Sequence, residues 1–229
     1  MKPRQYLLKY VLEFLVIVLG ISLSFYLEKR NALEYQQDLK NQSLSRINKN
    51  LKVDLRDLDY NRKAHAIASE SIDWIITNHP QYTRLSKDSL GKHLSNAITI
   101  STIFVDNQEE YRALQNSGLI ELIELEEVVT ALQNKYIYHE FYKKIEEESM
   151  VFVKDMRDYL YENTILTNDK TNELGFSEGR VFVGDENIPT PIIERLKDKK
   201  WFHDYYRKAI VNRMKKDSAL IVLIEKEIH

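Results

Sequence analysis

The sequence predicts an all-α protein, in which an N-terminal transmembrane helix is followed by an extracytoplasmic antiparallel helical bundle. The first supporting observation is an apolar run over residues 10–27, interrupted only by Glu13, two serines and one glycine. The second is a shortage of helix breakers, since 229 residues contain 6 glycines and 4 prolines. The third is that apolar residues recur every three or four positions in three long segments, which is the period of an amphipathic helix.

The apolar run is long enough to be a membrane span, because crossing the ~30 Å hydrocarbon layer takes about 20 mostly apolar residues. A cleaved signal peptide is the alternative, since Lys2, Arg4 and Lys9 form a basic leader. The residues at the C-terminal end of the run favour an uncleaved anchor, because small residues suited to cleavage occur only inside the run and bulky aromatic residues follow them. We therefore predict a short basic cytoplasmic tail over residues 1–9 and a transmembrane helix over residues 10–27.

The charges that flank the run do not decide its orientation. Lys2, Arg4 and Lys9 precede it, and three basic residues also follow it closely. A nine-residue tail that stays inside while a large domain crosses is the simpler topology. We expect the bulk of the chain outside the cytoplasm.

Composition narrows the class of the remaining chain. Charged residues make up 30 % of the sequence and the formal net charge is −2, which is typical neither of nucleic-acid binding nor of a disordered acidic tail. Cysteine is absent, which excludes a disulfide framework, thiol chemistry and a cysteine metal site. About 200 residues behind the anchor form one domain of ordinary size. The lipid bilayer is the predicted partner, and nucleic acid is not.

The first long helix is predicted from a leucine-rich stripe. Residues 21–79 contain neither glycine nor proline, so the span either continues unbroken or breaks near residues 31–42 before a helix that ends at His79. We assign residues 28–43 to a juxtamembrane helical connector and residues 44–229 to the bundle domain. Ser86 is then placed to cap a short helix that ends near Leu94. The stripe consists of Leu44, Ile47, Leu51, Leu55 and Leu58.

The middle of the chain contains the best strand candidate, the β-branched segment over residues 98–105. Only the weak segment over residues 180–183 could pair with it, and an isolated pair of strands is marginal. The segment is alternatively helical or extended. Asp106 with Glu109 predicts the next helix start, and Gly118 predicts that helix's end.

Two further helices complete the predicted bundle. The first extends from about Leu125 to Asn163, with apolar residues that include Phe141, Ile145 and Met156 on one face. A loop over residues 164–189 follows, and the last helix extends from about Pro191 to the end of the chain. Three long amphipathic helices predict antiparallel packing.

The order of these segments resembles a group of uncharacterised bacterial proteins, a domain of unknown function with one N-terminal transmembrane helix and a periplasmic helical domain. The resemblance is carried by Glu13, Gly20 and Ile21 in the anchor, and by the stretch EYRALQNSGLIEL over residues 110–122. The tryptophan that usually follows the span in that group is missing. The resemblance implies an inner-membrane, single-pass protein with the bulk of its chain in the periplasm, and it implies no activity.

The span itself contains the candidate site, a membrane-helix packing face formed by Glu13, Ile17, Gly20 and Ser24. These residues are spaced by four, three and four positions, which places them on one side of a helix. Small residues at such spacing let membrane helices approach closely, so the face predicts self-association or a partner helix. The alternatives are that Glu13 pairs with Lys9 and reaches the membrane surface, or that it carries protons or ions.

Other candidate residues lead to no predicted catalytic, metal or cofactor site. His139 and Glu140 lack the second histidine of a zinc-protease helix, because Lys143 occupies that position. The remaining histidines are scattered in sequence, and the fourteen tyrosines are expected to line the bundle core rather than an interface. The acidic cluster over residues 146–148 is interpreted as a solvated helix face.

Two classes of function fit these observations. The first is a membrane-anchored, non-enzymatic helical scaffold or interaction subunit that forms homo-oligomers or binds a partner membrane protein. The second is a periplasmic ligand-sensing domain, which would act through a partner membrane protein because a nine-residue tail can receive no signal. An enzyme is not expected, since neither an acid–base pair nor a nucleophile stands out in the sequence.

Overall fold

The computed structural model describes the backbone of residues 3–228 and the side chains of residues 9–228, so most of the predicted basic tail lies outside the described residues. Helices account for 80 % of the chain, and the described part contains one small two-stranded sheet, which confirms an all-α class. In chain order the elements are α1 (Pro3–Asn78), a 3-10 helix (His79–Arg84), α2 (Lys87–Thr99), α3 (Glu109–Asn116), a 3-10 helix (Leu119–Leu122), α4 (Glu126–Ile137), α5 (His139–Asn163), β1 (Thr164–Leu166), β2 (Arg180–Phe182) and α6 (Thr190–Ile228).

Helix α1 is continuous over 76 residues, so the alternative of a break near residues 31–42 is wrong. At about 1.5 Å per residue the helix is about 114 Å long. Residues 9–36 are exposed, and burial begins at Lys40 and Ser43, which lie inside the predicted connector. The domain therefore packs on α1 about one turn before the leucine stripe starts.

Helix α6 packs antiparallel along the second half of α1. Near one end, Lys40 Nζ lies 2.7 Å from Glu227 Oε1, and near the other, Ser69 Oγ donates to Asp204 Oδ1 at 2.8 Å. The predicted stripe faces this contact. Leu44, Ile47, Leu51 and Leu58 are fully buried, whereas Leu55 is only half-buried.

The core consists of hydrophobic clusters stacked along α1. The cluster nearest the apolar segment joins α1 to α3, α4 and the end of α6, and the central cluster joins it to α5 and the middle of α6. The most distant cluster adds α2 and β2. Their buried members include Leu51, Leu132 and Ile224 in the first, Phe104, Tyr206 and Ile210 in the second, and Ile72, Leu94, Phe182 and Leu196 in the third.

Helix α2 begins as predicted, because the Ser86 hydroxyl accepts a hydrogen bond from the Ser89 amide. It continues to Thr99 rather than ending near Leu94, so Ile98 and Thr99 are helical. The residues that follow to 108 form neither helix nor strand, although Ile100 itself is extended, so the strand prediction is wrong. The weak candidate at Arg180 is the real strand, and it pairs antiparallel with β1 inside the predicted loop.

Helix α3 ends at Gly118 as predicted, with a positive φ of 72° that glycine adopts readily. Its start differs from the prediction, because Asp106 does not cap it. Asn107 Oδ1 accepts from the Glu109 amide at 3.1 Å. Asp106 instead lies 2.7 Å from the ring Nδ1 of His139.

The predicted helix over residues 125–163 is two helices, because regular geometry stops at Tyr138 between α4 and α5. Its backbone angles, φ −78° and ψ −4°, depart from those of an ideal helix. No glycine or proline marks this break in the sequence. The break lets α4 and α5 pack separately against α6.

Replacing Gly91 by alanine is expected to destabilise the protein by about 2–3 kcal/mol, although alanine favours helices. A Cβ on Gly91 would clash with the Arg180 carbonyl oxygen and would lie 2.7 Å from the Phe182 nitrogen, both backbone atoms of β2. Thermal unfolding followed by circular dichroism measures the change. Lys87→Ala is the matched control, because Lys87 is an exposed residue of the same helix, and equal melting temperatures for the two variants would contradict the close packing at Gly91.

Candidate functional site

The apolar N-terminal part of α1 is long and apolar enough to cross a membrane, and none of its most apolar 18-residue window is buried. Within it, Ser24 Oγ donates to the Gly20 carbonyl oxygen at 3.0 Å, which satisfies the hydroxyl inside the helix. Lys9 Nζ lies 3.7 Å from Glu13 Oε1, which is the geometry that the pairing alternative requires. The predicted face of Glu13, Ile17, Gly20 and Ser24 is exposed along its length.

A buried network of charges joins three helices of the domain. Lys135 Nζ of α4 donates to Asp54 Oδ2 of α1 at 2.8 Å and to Asp217 Oδ2 of α6 at 3.1 Å, and all three side chains are at most 4 % exposed. Arg213 Nε donates to the same Asp217 oxygen at 3.1 Å. Burial raises the pKa of Asp54, and the nearby Lys135 ammonium opposes that rise. Two cations thus meet two carboxylates in the interior.

This network does not supply a hydrogen-bond partner for every nitrogen of the Arg213 side chain. Its Nη1 donates to the Lys135 carbonyl oxygen at 2.8 Å. Its side chain is 4 % exposed, yet Nη2 has no hydrogen-bond partner among the described residues. A buried donor without a partner is uncommon, because it forfeits its hydration.

Arg213 lines a cavity of about 880 Å³ between α4, the start of α5 and α6. Four aromatic side chains also line it, namely Tyr138, Phe141, Tyr142 and Tyr205. Arg213 Cζ lies 5.9 Å from the centre of the Tyr142 ring. A second, more apolar cavity of about 570 Å³ lies next to the first, and Phe141 and Tyr205 line both.

Glu146 contradicts the prediction that the acidic cluster is a solvated face. Its side chain is 3 % exposed, and Oε1 accepts from the Phe104 amide at 2.7 Å and from the Tyr206 hydroxyl at 2.8 Å. Burial and the adjacent carboxylate raise the pKa of Tyr206. Lys143, the residue that removes the zinc motif, lies 2.9 Å from Glu146 Oε2. Only Glu147 and Glu148 are exposed as predicted.

Two histidines that are scattered in the sequence meet in the interior. His65 Nδ1 and His203 Nδ1 lie 2.6 Å apart, and both side chains are fully buried. His65 Nε2 also contacts Thr102 Oγ1 at 3.0 Å, whereas His203 Nε2 has no partner among the described residues. Burial lowers the pKa of both histidines, and the nearby Lys199 lowers it further. Lys199 Nζ donates to the Ile98 carbonyl oxygen at 2.6 Å. Sequence spacing gave no signal for this cluster.

The paired tyrosines split between core and surface. Tyr206 is fully buried whereas Tyr205 is 41 % exposed, and Tyr138 is 47 % exposed beside a half-buried Tyr136. Tyr206 therefore lines the core as expected. Tyr138 and Tyr205 instead line the cavity. Across the described residues, no group of three or more His, Asp or Glu side chains is placed to hold a metal ion.

Comparison with models of known protein families, with curated proteins and with solved structures finds no match. The resemblance to an uncharacterised bacterial family therefore stays a prediction. The candidate sites rest on their own geometry.

Proposed function

We propose that the protein is a membrane-anchored, non-enzymatic helical scaffold or interaction subunit that self-associates through its span. One observation carries this proposal. Helix α1 continues without a break from the exposed apolar segment into the core of the domain. A continuous helix fixes the distance and orientation of the domain relative to the bilayer, which is useful for assembly and not required for a simple tether.

The proposed location is the inner membrane, with the domain in the periplasm. A reporter enzyme that is active only in the periplasm, fused after His229, is expected to be active in cells. The reason is that the short basic tail precedes the span and the large domain follows it. Activity of a cytoplasm-only reporter at the same position would reverse the proposed topology.

Replacing Gly20 by isoleucine is expected to weaken self-association, because it places bulk where two helix backbones would approach. Interhelical contacts in membranes are worth about 1–2 kcal/mol each, so a shift of the oligomer toward monomer is expected, not complete loss. Light scattering on protein in mild detergent measures the size.

The matched control is Val18→Ile, which adds bulk away from the face of Glu13, Ile17, Gly20 and Ser24. It should leave the size unchanged. A monomeric wild type, or equal behaviour of the two variants, would mean that this face does not pack and that Glu13 serves only to pair with Lys9.

The second candidate function is a ligand-sensing domain that acts through a partner membrane protein. It is favoured by the cavity of about 880 Å³ beside Lys135 and Arg213. Lys135 contacts Asp54 of α1 directly, so a ligand in the cavity would lie one side chain from the helix that reaches the membrane.

A further inference from the structure

We propose that the smaller cavity, which lies between α5 and α6, binds a small soluble organic cation of the quaternary ammonium type. The cation would contact the aromatic side chains of the wall and lie between two carboxylates. The site is separate from the proposed self-association face, because every lining residue belongs to α5 or α6.

Aromatic side chains dominate the wall of this cavity, and several of them are open to a ligand. Trp201 is 70 % exposed, and its ring stacks on that of Tyr205 with 5.5 Å between the centres and an angle of 7° between the planes. The Phe152 and Phe202 rings, 6.3 Å apart, lie deeper. The aromatic residues of the wall are Phe141, Phe152, Trp201, Phe202 and Tyr205. A bound molecule can therefore contact ring surface directly.

Helices α5 and α6 run antiparallel along the cavity. The Tyr206 hydroxyl donates to Glu146 Oε1 at 2.8 Å, and the Arg195 Nη1 donates to the Asp155 carbonyl oxygen at 3.1 Å. Residues that come early in α5 therefore lie beside residues that come later in α6.

This register places one carboxylate on each side of the aromatic cluster. Glu148 precedes Phe152 by one turn of α5, and Asp198 precedes Trp201 by about one turn of α6. Because the two helices run in opposite directions, the two carboxylates approach the rings from opposite ends. A cation on the rings would lie between them.

The charges of the cavity wall are unequal and unpaired. Glu148, Asp198 and Lys144 are all exposed, and their side chains form no ion pair or hydrogen bond among residues 9–228. Lys144 lies one turn before Glu148, on the side away from Phe152. The wall therefore carries one excess negative charge, and both carboxylates are nearer to the ring cluster than the ammonium group is.

This combination selects the chemistry of the ligand. The face of an aromatic ring attracts a cation, tryptophan does so most strongly, and clusters of such rings recognise quaternary ammonium groups. An anion would meet two unpaired carboxylates, and a neutral ligand would gain nothing from them. The volume of about 570 Å³ lies within the ~300–1,000 Å³ range of small-molecule pockets.

The position of the cavity along α1 favours a soluble cation over a lipid headgroup. Lys200, next to Trp201, lies 3.3 Å from Asp73 of α1 through its Nζ. Asp73 lies about 70 Å along the helix from the end of the apolar run, at about 1.5 Å per residue. Headgroups of the bilayer that the span would cross are therefore distant from the site.

The probe is choline, titrated by calorimetry against the full-length protein in dodecyl maltoside, with the detergent alone as the blank. Its uncharged analogue 3,3-dimethylbutan-1-ol has the same shape and tests the role of the charge. We expect saturable binding of choline at one site, about tenfold or more tighter than the analogue, because only the cation is attracted by the rings and the carboxylates.

Variants of opposite sign locate the site. Glu148→Gln and Asp198→Asn should each weaken choline binding by about threefold or more, whereas Lys144→Gln should strengthen it by about twofold. Trp201→Leu should weaken it by about threefold to tenfold through the lost ring. Glu147→Gln is the matched control, because Glu147 is an exposed neighbour on α5 that does not line the cavity. All these side chains are exposed, so the variants are expected to fold.

Four outcomes would overturn the assignment. No saturable binding of choline up to about 10 mM would mean that the cavity is not a site for such cations. Equal binding of choline and the analogue would make it a neutral apolar site. Equal effects of Glu148→Gln and Glu147→Gln would place choline elsewhere. Loss of choline binding when phosphatidylcholine nanodiscs replace the detergent would make the lipid headgroup, and not a soluble cation, the occupant.

Discussion

Replacing Lys135 by methionine is expected to lower the free energy of unfolding by about 3–5 kcal/mol, the usual cost of removing one partner of a buried ion pair. The Lys135 side chain is 2 % exposed, and its ammonium joins Asp54 to Asp217 across three helices. Methionine retains most of the side-chain volume. The loss therefore reports the charge and not a cavity.

The two carboxylates are not affected equally by this change. Asp217 keeps its contact with Arg213, 3.0 Å from Nε to Oδ1, whereas Asp54 loses its one ion pair among the described residues. Adding Asp54→Leu to Lys135→Met should therefore recover much of the lost stability, because it removes the stranded carboxyl. A double variant no more stable than Lys135→Met alone would show that the desolvated Asp54 is not the source of the loss.

Urea unfolding of the protein in mild detergent, followed through the fluorescence of the half-buried Trp74, measures these differences. Lys52→Met is the matched control, since Lys52 and Glu225 form a pair whose side chains are 55 % and 48 % exposed. Exposed pairs contribute about 0–1 kcal/mol. A loss at Lys52 as large as that at Lys135 would mean that burial does not set the effect.

Acidification from about pH 7.5 to about pH 5 is expected to lower the free energy of unfolding by about 2 kcal/mol through His65, and further through His203, with which His65 forms a buried pair. Burial lowers the pKa of His65 to about 3, and burial also lowers the pKa of His203 well below its usual value. Below about pH 6.5 the unfolded chain protonates both rings while the folded chain keeps them neutral. Protons then favour the unfolded state, so stability falls with pH, by about 2 kcal/mol for His65 at pH 5 and by a further amount in the same direction for His203.

Other groups around the pair act outside this window or more weakly. Burial lowers the pKa of Lys199 to about 7, so below that pH this lysine is protonated in both the folded and the unfolded chain. Its contribution to the free energy of unfolding therefore increases only between about pH 7 and pH 10. Carboxylates with a lowered pKa, such as Glu110 and Glu227, become protonated only near pH 4 and below, so the folded protein loses their contribution to stability only there. His93, whose pKa is also lowered by burial, adds a smaller loss in the same direction.

The double variant His65→Leu with His203→Phe isolates the pair. It removes both titrating rings but keeps apolar volume, so its stability between about pH 6.5 and pH 5 should be much flatter than that of the wild type. Denaturant midpoints at several pH values give the comparison. Parallel pH profiles for the two proteins would show that the acid sensitivity arises elsewhere.

Local signals in the sequence were sufficient for most helices. The stripe from Leu44 to Leu58 predicted the buried face of α1, Ser86 predicted the start of α2, and Gly118 predicted the end of α3. Each depends on neighbours within a few residues, namely a 3.6-residue period, a capping hydroxyl or a left-handed glycine. The apolar run over residues 10–27 likewise depends only on local composition.

Elements that depend on distant packing were predicted incorrectly. Nothing in the sequence around Tyr138 marks a helix break. The segment that begins at Arg180 has only weak strand composition, and its position as β2 depends on close packing of its backbone against Gly91. The segment over residues 98–105 has strand-like composition, which left strand, helix and extended chain all open. It has no partner strand in the described chain, and its first two residues belong to α2.

The sequence by itself therefore determined the helical class, the candidate span and the main buried stripes, because these follow from short-range periodicity and local composition. Only the tertiary structure decided which polar groups meet in the interior. His65 and His203 are separated by 138 positions, and Lys135 by 81 from Asp54 and 82 from Asp217. The register of α4 and α6 against α1 brings these residues together. That register is set by packing across the whole core, a sum of many weak contacts that no short segment of sequence contains.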